Sequence, residues 1–195
     1  MWRLSYFCIF TINCMTNKSI KATLSGKGLG VRPIRPINAY FNKYEESHKN
    51  ATNKIIHWIC VPIIVFSLLG LIWAIPFPHL AILGKFNGFF NWASFVIAFA
   101  IYFYYKLSPT LSYGMLVIIF GFSALIVALE KLNKFSSWPP MWQICLGLFI
   151  VSWIGQFAGH KIEGKKPSFL DDIKFLLIGP IWILHFLFKR VGVDY

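Results

Sequence analysis

The chain has 195 residues, of which 57% are hydrophobic and only 13% charged, about half the charged share of an ordinary soluble domain. That balance excludes a soluble enzyme of usual composition and leaves one membrane-embedded unit as the expectation. The net charge of +12 gathers before the first long apolar block, where Lys18, Lys21, Lys27, Arg32, Arg35, Lys43, Lys49 and Lys54 face Glu45 and Glu46. In a membrane protein such an arm is a topology signal that also attracts anionic headgroups, and no nucleic-acid partner is expected.

Residues 1–12 are apolar but too short to cross a bilayer, and they lack a small-residue cleavage site before Asn13 and Cys14, so a signal peptide is not expected. Met15 is the expected native start, opening a polar, basic sequence. With Gly26, Gly28, Gly30, Pro33 and Pro36, residues 1–36 are expected to be a basic flexible arm and 37–195 a membrane-embedded domain. The first apolar span runs over 55–75 and contains Pro62, which a membrane helix tolerates as a kink. A second, short and aromatic-rich, covers 89–105, with Tyr102, Tyr104 and Tyr105 as an interfacial belt. Spans follow at 111–129 and 142–158, separated by a polar connector over 130–140. A fifth apolar segment, 173–188, is shorter than a usual crossing and carries Gly179-Pro180 at its centre, so it either spans or is re-entrant. The fold class is an all-α polytopic membrane helical bundle, four full spans plus this fifth segment. Cys8, Cys14, Cys60 and Cys145 have no paired spacing and read as free thiols.

Lysine and arginine counts in short flanks place the N-terminus and the 159–172 loop, with Lys161, Lys165 and Lys166, on the cytoplasmic side. The start of span one and the end of span four then share one face. That face carries two polar clusters. In the first, Asn50, Asn53 and His57 fall on one side of a helix at about 100° per residue. His48 joins them only if the chain bends between His48 and Asn50. In the second, Gln156-Phe157-Ala158-Gly159-His160-Lys161-Ile162-Glu163, His160 and Glu163 lie three apart and Gly159 leaves room for close approach.

Neutral imidazole suits iron, zinc, copper and nickel, and two histidines with a carboxylate leave coordination positions open. His57 is the most informative residue, because an unpaired polar ring at the start of an apolar span is costly. Asn53, one turn earlier, is placed to orient it. The bland alternative is that these side chains satisfy each other and the backbone. His79 sits in a proline-flanked loop and receives no role, while His185 reaches the shared face only if the fifth segment is re-entrant.

The run His48-x-Asn50-x-x-Asn53-x-x-Ile56-His57, the following Val61-Pro62, the later Gln156-Phe157-Ala158-Gly159-His160-x-x-Glu163-Gly164-x-x-Pro167 and the terminal Gly179-Pro180 resemble the yeast 2-hydroxy-palmitic acid dioxygenase family of multi-pass membrane proteins over about 37–188. The resemblance implies an iron(II)-dependent dioxygenase that shortens 2-hydroxy fatty acids by one carbon in α-oxidation, with O2 as co-substrate. It implies His48, His57 and His160 as catalytic metal ligands for Fe2+, Glu163 as a fourth catalytic contributor or a supporting residue, and Asn50, Asn53 and Gln156 as supporting or substrate-binding candidates. Lys49, Lys54, Lys161 and Lys165 are placed to attract a carboxylate or to stay solvated. Residence follows as the cytoplasmic membrane in a bacterium or the endoplasmic reticulum in a eukaryote.

Two other classes compete. A non-enzymatic lipid-binding or scaffolding protein would hold no metal, and a haem-binding electron carrier would show a Soret band. Ion transport is disfavoured because the spans lack central charges.

Overall fold

The computed structural model describes residues 36–46, 48–82, 84, 90–133, 138–164 and 169–195, the side chains of 36 and 169–174 excepted. The arm expected over 1–36 lies, but for Pro36, outside the described residues. Six helices and no strands occur among the described residues: α1 (Pro36–Glu45), α2 (Ala51–Trp73), α3 (Trp92–Leu107), α4 (Pro109–Asn133), α5 (Met141–Glu163) and α6 (Phe169–Arg190). Each of the five apolar blocks seen in the sequence corresponds to one of α2–α6.

Three of them, α2, α4 and α5, are long and apolar enough to cross a membrane. The 16-residue α3 rises only about 24 Å, short of a hydrocarbon core of about 30 Å. The outward faces are apolar: Ile59, Phe99, Val117, Phe120, Val151 and Ile154 are all exposed, an arrangement that suits lipid and not water. This is a helical membrane protein.

Small side chains let α2 and α5 approach closely, as in membrane helix pairs generally. A Cβ added at Gly70 would strike Cys145, one at Gly155 would lie 2.8 Å from the Cys60 sulfur, and one at Gly159 would strike the Asn53 carboxamide. The pairing order, 70 with 145, 60 with 155 and 53 with 159, shows that the two helices are antiparallel. The beginning of α2 therefore meets the end of α5.

Local signals explain the helix ends. Asn50 caps α2, its side chain accepting from the N–H groups of Thr52 and Asn53. Asn91 and Ser94 form a reciprocal capping box at α3. Gly164, at φ 72°, closes α5 in the left-handed region that glycine enters freely. A single residue, Ser108, separates α3 from α4, and its hydroxyl accepts from the Leu111 N–H at 3.4 Å.

Tyr104 and α1 depart from the sequence expectation, and 173–188, left open there between a span and a re-entrant segment, lies in one unbroken helix. Tyr104 is 3% exposed and belongs to the core, leaving Tyr102 and Tyr105 as the outward tyrosines, because Tyr104 lines an inner apolar cavity together with residues of α2 and α4. The apolar segment 173–188 is part of a continuous 22-residue helix, α6, that runs through Gly179 and Pro180. α6 packs along α1: Phe175, Gly179 and Trp182 approach Tyr44, and His185 lies against Phe41. α1 was not expected from the sequence, although Ile37, Phe41 and Tyr44, its buried face, have the spacing of an apolar helical stripe.

Candidate metal centre

His48 lies in the non-helical link between α1 and α2, where the chain bends as the sequence required for it to approach His57. Its Nδ1 is 2.6 Å from the Tyr44 carbonyl oxygen. A carbonyl only accepts, so Nδ1 carries the proton and Nε2 presents its lone pair. The ring stacks on that of Tyr44, centroids 4.1 Å apart and 12° from parallel, and Trp182 stands 5.8 Å away. Burial lowers its pKa from 6.5 to about 4, despite the opposing hydrogen bond to Tyr44, so the ring is neutral at pH 7.

His57, in the second turn of α2, is fixed in the same way: Nδ1 donates to the Asn53 carbonyl at 3.0 Å. Both His48 and His57 are 2% exposed. His160 comes from the last turn of α5. Ring centroids are 4.2 Å apart for His48 and His57, 5.1 Å for His57 and His160, and 5.7 Å for His48 and His160. One nitrogen from each ring lies within 4.8 Å of the other two. Imidazole bonds of about 2.1 Å to a common ion place two nitrogens about 3.4 Å apart in a tetrahedral arrangement, so closure by up to about 1.4 Å completes the donor set. His48 Nε2 is buried with no hydrogen-bond partner. Such an orphan calls for a ligand, and an ion among the three rings supplies one. These residues fit a transition metal.

Glu163 is outside that trio. One carboxylate oxygen accepts from the N–H groups of Lys49 at 2.8 Å and Asn50 at 3.3 Å, and the other from Asn50 N–H at 3.0 Å and Asn53 Nδ2 at 3.0 Å. Three donors converge on it, the Asn50 N–H shared between both oxygens, and it clamps the link that carries His48 to the end of α5. Asn50 sits outside the α2 face as its cap. Asn53 holds His57 through its backbone carbonyl, while its side chain serves Glu163.

Gln156 precedes His160 by one turn of α5 and is buried, with its Nε2 unpaired. Lys49 and Lys54 line an open polar crevice of about 480 Å³ with Asn42, Glu45, Glu46 and His48. Lys161 is exposed, and Lys165 lies outside the described residues. His79 is exposed in the link after α2. His185 is buried against Phe41 and Tyr195, not among the three rings. Tyr44 and Trp182 were missed in the sequence. Tyr44 carried a usable signal, standing four before His48 on the stripe of α1, whereas Trp182 had none within an apolar run.

No solved structure matches this chain. It is 27% identical over 166 residues, 83% of its length and 84% of the relative's, to the 2-hydroxy-palmitic acid dioxygenase MPO1 of Saccharomyces cerevisiae. The profile of the family described as 2-hydroxy-palmitic acid dioxygenase Mpo1-like matches residues 34–191. The chain belongs to that family.

Proposed function

We propose that this protein is an iron(II)-dependent dioxygenase that acts on 2-hydroxy fatty acids and shortens them by one carbon, the reaction of fatty acid α-oxidation. The observation that carries the reading is the presentation of the rings: His48 and His57 each spend Nδ1 on a backbone carbonyl, and His48 keeps a buried Nε2 with no partner. His185 Nδ1 is likewise buried and unpaired, but the orphan of His48 stands in a cluster with two further imidazoles within 4.8 Å, which is why a lipid-binding scaffold is the weaker reading. The substrate class comes from the yeast relative, whose name places its activity on 2-hydroxy-palmitic acid.

His48, His57 and His160 would hold the ion, and Glu163 would keep their two segments together. The chemistry ferrous iron supplies in such an imidazole site is oxygen activation, with positions left open for substrate. The residues of the chain provide the rest. Lys49 and Lys54 share the polar crevice beside His48 with Glu45 and Glu46, so the crevice carries no net charge and a carboxylate there would be held by direct contact with a lysine. Tyr44 and Trp182 wall off one side of the His48 ring, which excludes water there. Gln156 offers an amide N–H one turn inward from His160.

For topology, the proposal is four crossings, α2 to α5, with α6 resting along α1 at the histidine-bearing end. The N-terminus and the 159–172 loop are then cytoplasmic, in the cytoplasmic membrane of a bacterium or the endoplasmic reticulum of a eukaryote. The test of function is metal analysis of detergent-purified protein, then incubation with a 2-hydroxy fatty acid under oxygen and mass spectrometry of the product. Bound iron and an acid one carbon shorter are expected. Metal-free protein that is inert after iron addition would favour the scaffold.

A further inference from the structure

An apolar crevice of about 320 Å³ opens between α2, α4 and α6, bounded by Trp58, Val61, Val65, Met115 and Pro180 among others. A second apolar cavity of about 100 Å³ lies deeper along α2, toward Ile72 and Ala100. The two share Val65, Met115 and Pro180. These three residues therefore lie at the boundary between an outer chamber and an inner one, and would be the constriction for any chain passing from one to the other.

The position of the crevice identifies its occupant. Val61 is one helical turn inward from His57 on the adjoining strip of α2, and it meets α6 at Gly179, where Tyr44, the residue that stacks on His48, also arrives. The polar crevice with Lys49 and Lys54 lies on the aqueous side of the same histidine. The polar crevice borders His48 itself, and the apolar one begins at Trp58 and Val61, one residue and one turn beyond His57. From Trp58 to Ile72 the path rises about 21 Å along α2 at about 1.5 Å per residue, and its lining is almost wholly apolar. A ligand matched to both sides has a charged head and a long hydrocarbon tail.

We infer that this crevice holds the acyl chain of the substrate, and that Val65, Met115 and Pro180 set the chain length the protein accepts. The inference rests on the function proposed above. A tail that ends before the constriction fills only the outer chamber, and a longer one must pass between Val65 and Met115 to bury its end. Val65 is the residue to change, because it is half-buried and can be enlarged with less disturbance than the fully buried Met115.

The experiment offers 2-hydroxy acids of graded chain length to the full protein in lipid nanodiscs. Binding to metal-free protein is measured by native mass spectrometry, and turnover of the iron-loaded form by product analysis. Val65→Trp should move the preferred length downward, weakening the longest acids about tenfold relative to the shortest, the worth of about two buried methylenes. Val65→Ala should shift preference toward longer acids. Val117→Trp, on an outward face, should leave the profile unchanged. If Val65→Trp weakens all lengths equally, or changes none while circular dichroism shows it folded, the crevice holds only bulk lipid and the inference is overturned. Wild-type protein that binds and converts no acid of any length would instead overturn the functional reading itself.

Discussion

The Glu163 carboxylate accepts the backbone N–H of Lys49, 114 positions earlier in the chain, at 2.8 Å. This contact, shared with Asn50 and Asn53, fastens the link bearing His48 to the helix bearing His160. In the proposed metal centre Glu163 would thus be a positioning residue, since its oxygens are engaged by the protein itself. Glu163→Ala should weaken iron binding by about 10–100-fold without abolishing it, the usual cost of losing an outer-shell partner. Chelator competition measures it. Complete loss of metal from a folded variant would show that the carboxylate binds the ion directly.

His48→Ala, His57→Ala and His160→Ala should each remove most bound iron and all turnover, because a site with three protein nitrogens has no spare donor. His79→Ala should do neither. Metal content by mass spectrometry, with thermal unfolding as the control for folding, checks this. Three folded variants with normal iron would replace the metal centre with a structural cluster.

The metal-free protein should lose stability on acidification through a defined window. His48 has a folded pKa of about 4 against 6.5, so below pH 6.5 the unfolded chain takes up a proton that the folded one refuses. Stability therefore rises with pH between about 4 and 6.5 and is flat above, as far as this group is concerned. The unfolding temperature of wild type in detergent should fall across that window, and that of His48→Gln should fall less. Equal slopes would remove His48 as the cause.

The apolar blocks were legible because bilayer thickness imposes a length on them, and all five appear as helices within a few residues. The bend at His48 was legible as a requirement: on one helix His48 would face away from His57. The atoms that hold the rings were not. Asn53 was expected to orient His57, and it does so through its backbone carbonyl, a bond any residue at that position would offer. α1 was hidden because Ile37, Phe41 and Tyr44 are diluted by polar neighbours and follow a segment rich in glycine and proline. Its role depends on contact with α6, some 130 residues later, which local pattern does not encode. Tyr104 read as interfacial beside Tyr102 and Tyr105, since composition cannot say which way a ring turns.

Gln156→Met should leave stability unchanged or slightly higher. The Gln156 Nε2 is buried without a partner, and removing an unsatisfied donor relieves its desolvation cost, about 1–3 kcal/mol. If the amide serves a bound molecule, turnover should fall while the unfolding temperature holds. A clear drop in unfolding temperature for the metal-free variant would mean that the side chain is structural.

Gly159 and Gly147 both lie on α5, and the same substitution should act on them in opposite directions. A Cβ at Gly159 would strike the Asn53 carboxamide and come within 3.5 Å of Ile56, whereas one at Gly147 meets nothing within 4 Å. Asn53 cannot move freely, because its Nδ2 donates to Glu163 and its carbonyl accepts from His57. Gly159→Ala must therefore push the two helices apart at the point where His57 and His160 meet. Overpacking of this kind costs about 1–3 kcal/mol, and the separation should spread nitrogens that already need to close on an ion. Gly147→Ala has only the gain in helix propensity, up to about 1 kcal/mol. Iron affinity and unfolding temperature should thus both fall in Gly159→Ala, while Gly147→Ala keeps its iron and unfolds at the same or a higher temperature. Normal iron affinity in Gly159→Ala would show that the centre tolerates a wider α2–α5 spacing, and the tight packing of the pair would then serve the bundle alone.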